Sequence, residues 1–223
     1  MPDGAALPAA RSAYAALYEH ILSNVYAPSQ SVSIAEVTAD PGMSRMPLRD
    51  ARIRLEEERL IELVPRQGFR VLPVHPSAMR ETYEVLAGLE GAAIELLITR
   101  GPNEAERAAL VEVSAALERA LDAQDLVDTW AAAHKRYHDV ILSSSGNQRL
   151  LEIARGLLGQ TRRACGDAAP APLAGASTRA HPTLVGAILA GDVGAACDNH
   201  LRQRLRSARE LTEILERLNI RVL

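Results

Sequence analysis

The sequence predicts a mainly α-helical chain in two parts: a small N-terminal helical unit closed by a β-hairpin, and a C-terminal all-α bundle of about six helices. Two observations on periodicity and one on composition carry this. From about residue 77 almost to the end, apolar residues recur at intervals of three and four, which only a helix turns to one side. Before that, one short stretch, Leu60 to Val64 and Phe69 to Leu72, takes on strand character around Arg66-Gln67-Gly68. The 223 residues include one Trp and one Phe but are 48% hydrophobic, so Leu, Ile, Val and Ala must build the cores, and they suffice for two.

The first ten residues are expected to be disordered, and residues 11–74 to form the first domain. Leu17, Ile21 and Val25 repeat at four-residue spacing, an apolar stripe for a first helix that Pro28 ends. Ser31 to Ile34 reads as a short extended piece running into a second helix, with Ser33 and Glu36 at capping-box spacing. Asp40-Pro41-Gly42 makes a turn. A third helix starts at Ser44, whose hydroxyl can cap it, and Pro47 is tolerated because first-turn N–H groups have no helical partner anyway. The hairpin follows, with Arg66-Gln67-Gly68 as its tip and Gly68 supplying a positive φ. Helix, helix, turn, helix and hairpin make a winged helix-turn-helix.

The third helix carries the chemistry of this domain. Arg45, Arg49 and Arg52 share one face, while Leu48, Leu55 and Leu60 can turn inward. Guanidinium groups on the N-terminal half of a helix suit a major groove, because Arg pairs bidentately with guanine and as a fork with phosphate. The net charge is −3, which excludes an indiscriminately basic nucleic-acid binder. Arg45, Arg49, Arg52 and Arg54 stand against Asp50 alone, so the positive field is focused where a groove would lie.

This stretch resembles the GntR family of bacterial transcription regulators, in its FadR-like subgroup. The resemblance rests on Tyr18, Ile21-Leu22, Pro28, the octet Ser44-Arg45-Met46-Pro47-Leu48-Arg49-Asp50-Ala51, Leu55-Glu56, Leu60-Ile61 and Gly68. It implies double-stranded DNA as partner, with Ser44, Arg45, Met46, Pro47, Arg49 and Arg52 at the groove and Arg66, Gln67 and Gly68 in the wing. Pro28-Ser29 replaces the usual Pro-Gly, and Glu58-Arg59 stands where a Gly commonly precedes the leucine.

Pro73 and Pro76 break both helix and strand and mark a linker. Residues 75–223 then read as helices over about 77–100, 103–122, 125–144, 147–165, 178–190 and 192–219. Gly101-Pro102-Asn103, Ser145-Gly146-Asn147 and Gly191-Asp192 separate them, and the one long loop runs from Gly166 to Gly175. Cys165 and Cys197 are too far apart for a CxxC site. With no signal peptide and no apolar run near twenty residues, a cytoplasmic protein with reduced thiols is expected.

Histidines carry the chemistry of the second domain. His134 and His138 lie one turn apart on one helix face, a spacing that suits chelation of one ion, and a bundle can bring His181 and His200 to them. The same spacing also serves two hydrogen-bonded histidines. No HExxH glutamate is present.

The FadR-like resemblance extends here through Tyr137-His138, Ser145-Gly146-Asn147 and His181, which stands 43 residues after His138. It implies a metal at the floor of a small-molecule pocket, held by His134, His138, His181 and His200. Three departures stand out. His134 occupies the usual Asp position; His200 falls one helical turn short of the family's last His, leaving Gln203 there; and Leu86 replaces a usual Arg. An all-nitrogen set favours zinc or nickel over manganese or magnesium.

These observations imply a homodimeric regulator that binds an inverted-repeat operator and senses a small molecule, a carboxylate metabolite, through a metal-containing pocket. Two alternatives are a metal-sensing regulator whose effector is the ion itself and a metal-dependent hydrolase. The second has no use for Ser44 to Arg54 and lacks a general-base carboxylate beside His134 or His138.

Overall fold

A computed structural model describes residues 6–39, 45–73, 75–122, 129–165 and 171–217. The chain divides into two compact units, one built on the chain up to His75 and one on the chain from Pro76.

In the first unit, α1 (Ala6–Leu22) is followed by β1 (Ser31–Ser33), α2 (Ile34–Thr38), α3 (Arg45–Glu57), β2 (Ile61–Val64) and β3 (Gly68–Val71). Helix α1 takes in residues 6–10 of the stretch expected to be disordered, because three of those five are Ala and Pro8 falls in the first turn, where no N–H is missed. Leu17 and Ile21 are buried as the stripe requires, but α1 ends at Leu22, so Val25 lies beyond it and is exposed. The capping box at α2 is present in full. Ser33 accepts from the Glu36 N–H, and the Glu36 carboxylate accepts from the Ser33 N–H. The Asp40-Pro41-Gly42 turn and Ser44 lie outside the described residues.

The hairpin is part of a three-stranded antiparallel sheet of order β1-β3-β2. The extended piece before α2 therefore adds a strand that periodicity over three residues is too short to show. Leu17, Ile21, Leu48, Leu55, Leu60, Phe69 and Val71 meet in one core beneath it.

Gly68 is not the hairpin tip. The turn runs from Val64 to Gln67, closed by the Gln67 N–H on the Val64 carbonyl, and Arg66 takes the left-handed conformation there at φ 64°. Gly68 opens β3 between Ser33 and Val64, at φ 154°. A Cβ at Gly68 would come within 2.0 Å of the Val32 carbonyl oxygen. Gly68→Val should therefore unzip β1 from β3 and lower the stability of this unit by about 1–3 kcal/mol as well as disturb the wing. Unchanged thermal stability in that variant would rule out the close β1–β3 approach.

The second unit holds α4 (Pro76–Arg100), α5 (Glu104–Asp122), α6 (Thr129–Ser144), α7 (Gln148–Cys165), α8 (Ala171–Ala190) and α9 (Val193–Arg217). Helix α4 packs along α9, α5 lies against α6 and α8, and α8 lies against α9. Leu86, Ile94, Leu97, Leu110, Tyr137, Ile141, Leu184 and Ile188 form the shared core. Asn103 caps α5 through the Glu106 N–H, and Asn147 caps α7 through the Leu150 N–H.

Helix α8 differs from expectation. It spans 20 residues from Ala171 instead of starting near 178, and His181 sits within it next to Pro182. Pro172 falls in its first turn, where the missing N–H is harmless, and Pro182 removes one ladder bond that packing against α5 and α9 outweighs.

Candidate functional site

In the first unit, α3 carries the residues expected at a DNA groove. Arg49 is exposed on α3, as are Arg66 and Gln67 on the turn between β2 and β3. Pro47 is half-buried in the first turn that Arg45 and Met46 open. Arg52 shares the face but turns back: its Nη1 donates to the Gly68 carbonyl at 3.4 Å, and burial lowers its pKa. It thus holds the wing strand to α3. Arg54 is tied to α1, its guanidinium 3.9 Å above the Tyr14 ring and its Nε 3.0 Å from Glu58, whose carboxylate also accepts the Tyr14 hydroxyl at 2.6 Å. Burial first, and then Glu58, raise the Tyr14 pKa, so the phenol remains a donor.

In the second unit, four helices bring polar side chains into the core. Helix α4 contributes Glu90; α6 contributes Tyr137 and His138, with His134 half-buried beside them; α8 contributes His181; and α9 contributes His200, Gln203 and Arg204. Glu90 and His181 are 0% exposed, His200 1%, His138 3% and Arg204 5%. The spacing of each helix explains the convergence. His134 and His138 are one turn apart, as are His200 and Arg204, and Gln203 lies beside them on the face that α9 turns to the core.

Glu90 is the hub. Arg204 donates to it through Nε at 2.5 Å and Nη2 at 2.6 Å, His138 Nδ1 lies 2.9 Å from Oε1, and His200 Nε2 lies 3.0 Å from Oε2 but off the hydrogen-bond direction. Burial would raise the Glu90 carboxyl, yet Arg204 and His138 outweigh it and hold it well below the usual carboxylate range. Burial pulls Arg204 down and Glu90 more than offsets that. The pair is therefore ionised and internally neutral.

His134, His138 and His181, by contrast, are held neutral. Burial and then Arg204 push His138 down to about 4. Burial, and then the neighbouring imidazole of His138, drive His134 and His181 well below the ordinary histidine value. With Nδ1–H directed at Glu90, His138 presents the Nε2 lone pair, and His134 Nε2 faces it at 3.2 Å. His181 Nε2 meets the Gln203 amide at 2.8 Å. Its ring lies 4.2 Å from that of Tyr137 and 5.6 Å from that of His134, between centroids.

The expected fourth histidine is displaced. His200 faces Glu90, and Gln203, at the family's nominal position, stands against His181. The reason is helical phase: three residues advance a helix by 300°, so the two positions look at different neighbours. Leu86 is fully buried in apolar core. Sequence reasoning missed Glu90 and Arg204, which look like ordinary surface charges on amphipathic helices. The only signal was that both fall on the apolar phase of their helices.

Residues 9–71 match the family described as bacterial regulatory proteins, gntR family, and residues 81–203 match the FCD domain. The chain belongs to the GntR family, FadR-like subgroup. This GntR/FCD protein is a DNA-binding transcription regulator and not an enzyme, which closes the hydrolase alternative. It is 35% identical over 134 residues, 59% of this chain and 78% of the other, to an HTH-type transcriptional regulator in the TAR-I ttuE-ttuC' intergenic region of Agrobacterium vitis. It is 25% identical over 146 residues, 65% of this chain and 66% of the other, to the HTH-type transcriptional repressor GlaR of Escherichia coli. The fold is similar to that of E. coli McbR/YncC, with a TM-score of 0.77 and 19% identity over 92% of this chain and 97% of that one. No described helix is long and apolar enough to cross a membrane.

Two imidazole nitrogens bound to one tetrahedral ion at about 2.0–2.1 Å stand roughly 3.3 Å apart. The 3.2 Å between His134 and His138 Nε2 fits that edge, and Glu90 behind His138 is the carboxylate that commonly orients a metal-bound imidazole. Among the described residues, no three His, Cys, Asp or Glu side chains close on one point as they stand. The His134–His138 pair fits an ion, while His181 is directed at Gln203.

Proposed function

We propose that this regulator binds an inverted-repeat operator as a homodimer in the cytoplasm. Its FCD domain would sense a small carboxylate metabolite at the buried histidine cluster, with residues 11–74 as the DNA-binding domain and residues 75–223 as the effector-binding and dimerising one. The observation that carries the effector reading is the polar cluster itself. Charged and imidazole side chains from α4, α6, α8 and α9 occupy the middle of an otherwise apolar core. Such groups are costly to bury and serve packing poorly, so a ligand role explains their presence. Ligand binding there would shift the balance between arrangements of these four helices, and the linker would carry the shift to the DNA-binding unit.

At the operator, Arg49 contacts bases or adjacent phosphates together with Ser44, Arg45, Met46 and Pro47, while Arg66 and Gln67 enter the minor groove and Gly68 holds the wing strand. Arg49→Ala should weaken binding to the protein's own upstream DNA by about 1–3 kcal/mol and leave stability unchanged. Arg52→Ala should act through the wing instead, lowering stability too. Equal affinity of wild type and Arg49→Ala for that DNA would refute the assignment.

A divalent transition metal, zinc or nickel, is the cofactor of this reading, held by His134 and His138, with His181 and His200 as the further ligands that the FadR-like resemblance implies once they turn from Gln203 and Glu90. The ion would supply a fixed positive charge to anchor a carboxylate. Neutral imidazoles, which burial already enforces, are what such an ion requires. Elemental analysis of untagged protein should find metal in most chains, and His138→Ala should remove it. Chains empty of metal, with no gain in thermal stability on adding zinc, would dismiss the ion. Zinc alone changing operator affinity, with no organic acid present, would identify the ion itself as the effector.

A further inference from the structure

Arg204 is buried, clamped and only partly used. Its Nε and Nη2 hold Glu90, and its guanidinium lies 5.6 Å above the Tyr83 ring, so its orientation is set from two sides. Nη1 makes no hydrogen bond among the described residues. Unlike the atoms that hold Glu90, this edge is not sealed in the core and stays open to an incoming group, and Arg is the side chain best shaped for carboxylates. Other polar atoms nearby are also unpartnered: the Tyr137 hydroxyl, His181 Nδ1 and His200 Nδ1 are buried without a hydrogen bond. Tyr137 packs on His181, and Arg204 Nη2 lies 3.1 Å from His138 Nδ1, so these groups belong to one neighbourhood. Leu86, on α4, offers no cation.

We propose that Arg204 is the carboxylate-recognising residue of this effector site, supplied by α9 in place of the arginine that position 86 lacks, and that Glu90 positions it. The proposal deepens the effector reading above and rests on it. Glu90 fixes the guanidinium plane through Nε and Nη2 and cancels its charge while the site is empty, leaving the Nη1 edge to donate to one oxygen of an incoming carboxylate. The Tyr137 hydroxyl, buried without a partner, is a further donor for the ligand's other polar atoms. Because Glu90 already cancels most of the guanidinium charge, the site suits a carboxylate group better than a phosphate, whose higher charge would be buried without compensation.

The test uses the full chain and a panel of acetate, lactate, succinate, malate and citrate, with inorganic phosphate as the contrasting oxyanion. Each is added at about 10 mM to zinc-loaded protein while thermal stability is followed. At least one carboxylate should stabilise the wild type and phosphate should not. Arg204→Lys keeps the charge but not the fork, and should weaken that carboxylate by about tenfold or more. Because a lone buried Glu90 could prevent folding, the double variant Glu90→Gln/Arg204→Met removes both charges. It should fold, keep zinc on its histidines and show no carboxylate response. A response to phosphate alone, no response to any acid in the wild type, or a double variant that binds the acid within about threefold of wild type would each overturn the proposal. Zinc is measured separately by elemental analysis. Metal-free protein whose carboxylate response still depends on Arg204 would therefore remove the metal and leave this assignment standing.

Discussion

Arg204→Met should lower stability by about 3–5 kcal/mol, because it leaves the Glu90 carboxylate ionised in a core with no full counter-charge. Glu90 is wholly buried, and its partners are Arg204 and two histidines, of which His138 is held neutral. Neither imidazole can replace a guanidinium that donates at 2.5 and 2.6 Å. Glu90→Gln alone should cost less, since the amide still accepts from Arg204, yet it leaves a buried cation. The double variant Glu90→Gln/Arg204→Met should be more stable than Arg204→Met, as removing both charges also removes the desolvation that the pair had to overcome. Urea denaturation of the four proteins gives the coupling directly. Additive losses would show that the two residues do not act as a pair.

Acid should destabilise the metal-free protein well before its carboxylates titrate. His138 falls from 6.5 in the unfolded chain to about 4 in the folded one, and His134 and His181 shift in the same direction. Between those values the unfolded state binds protons that the folded state refuses, so stability is complete above about pH 6.5 and declines as the pH falls towards 4. His138 alone accounts for a loss on the order of 3 kcal/mol across that window. Glu90 keeps its full contribution down to about pH 4.5 and loses it only below that, as the pH falls towards its depressed folded value. Urea midpoints for chelator-treated protein should drop between about pH 7 and pH 5, and His138→Gln should flatten the slope. A midpoint constant over that range would mean that the histidines titrate normally and are open to water.

Much of this was written in local sequence. The octet from Ser44 to Ala51, the Ser33–Glu36 capping box and the glycine and asparagine breaks between helices all report backbone geometry within a few residues, where propensity and capping act. So does the histidine pair, since helical spacing places His134 and His138 together whatever the surroundings. The helix from Ala171 escaped notice because two prolines are strong local signals that tertiary packing overrode.

What the sequence by itself determined is therefore the order of elements, the arginine-bearing helix α3 and the pairing of His134 with His138 on one helix. Tertiary structure alone decided the rest. It turned Arg52 to the Gly68 carbonyl, placed Gly68 against the Val32 carbonyl, set Gln203 in place of His200 beside His181, and joined Glu90 to Arg204 across a separation of 114 residues. The physical reason is the same in each case. A side chain's spacing fixes which face of its helix it occupies, but its partner, and with it its charge state, is set by whichever distant element packs against that face.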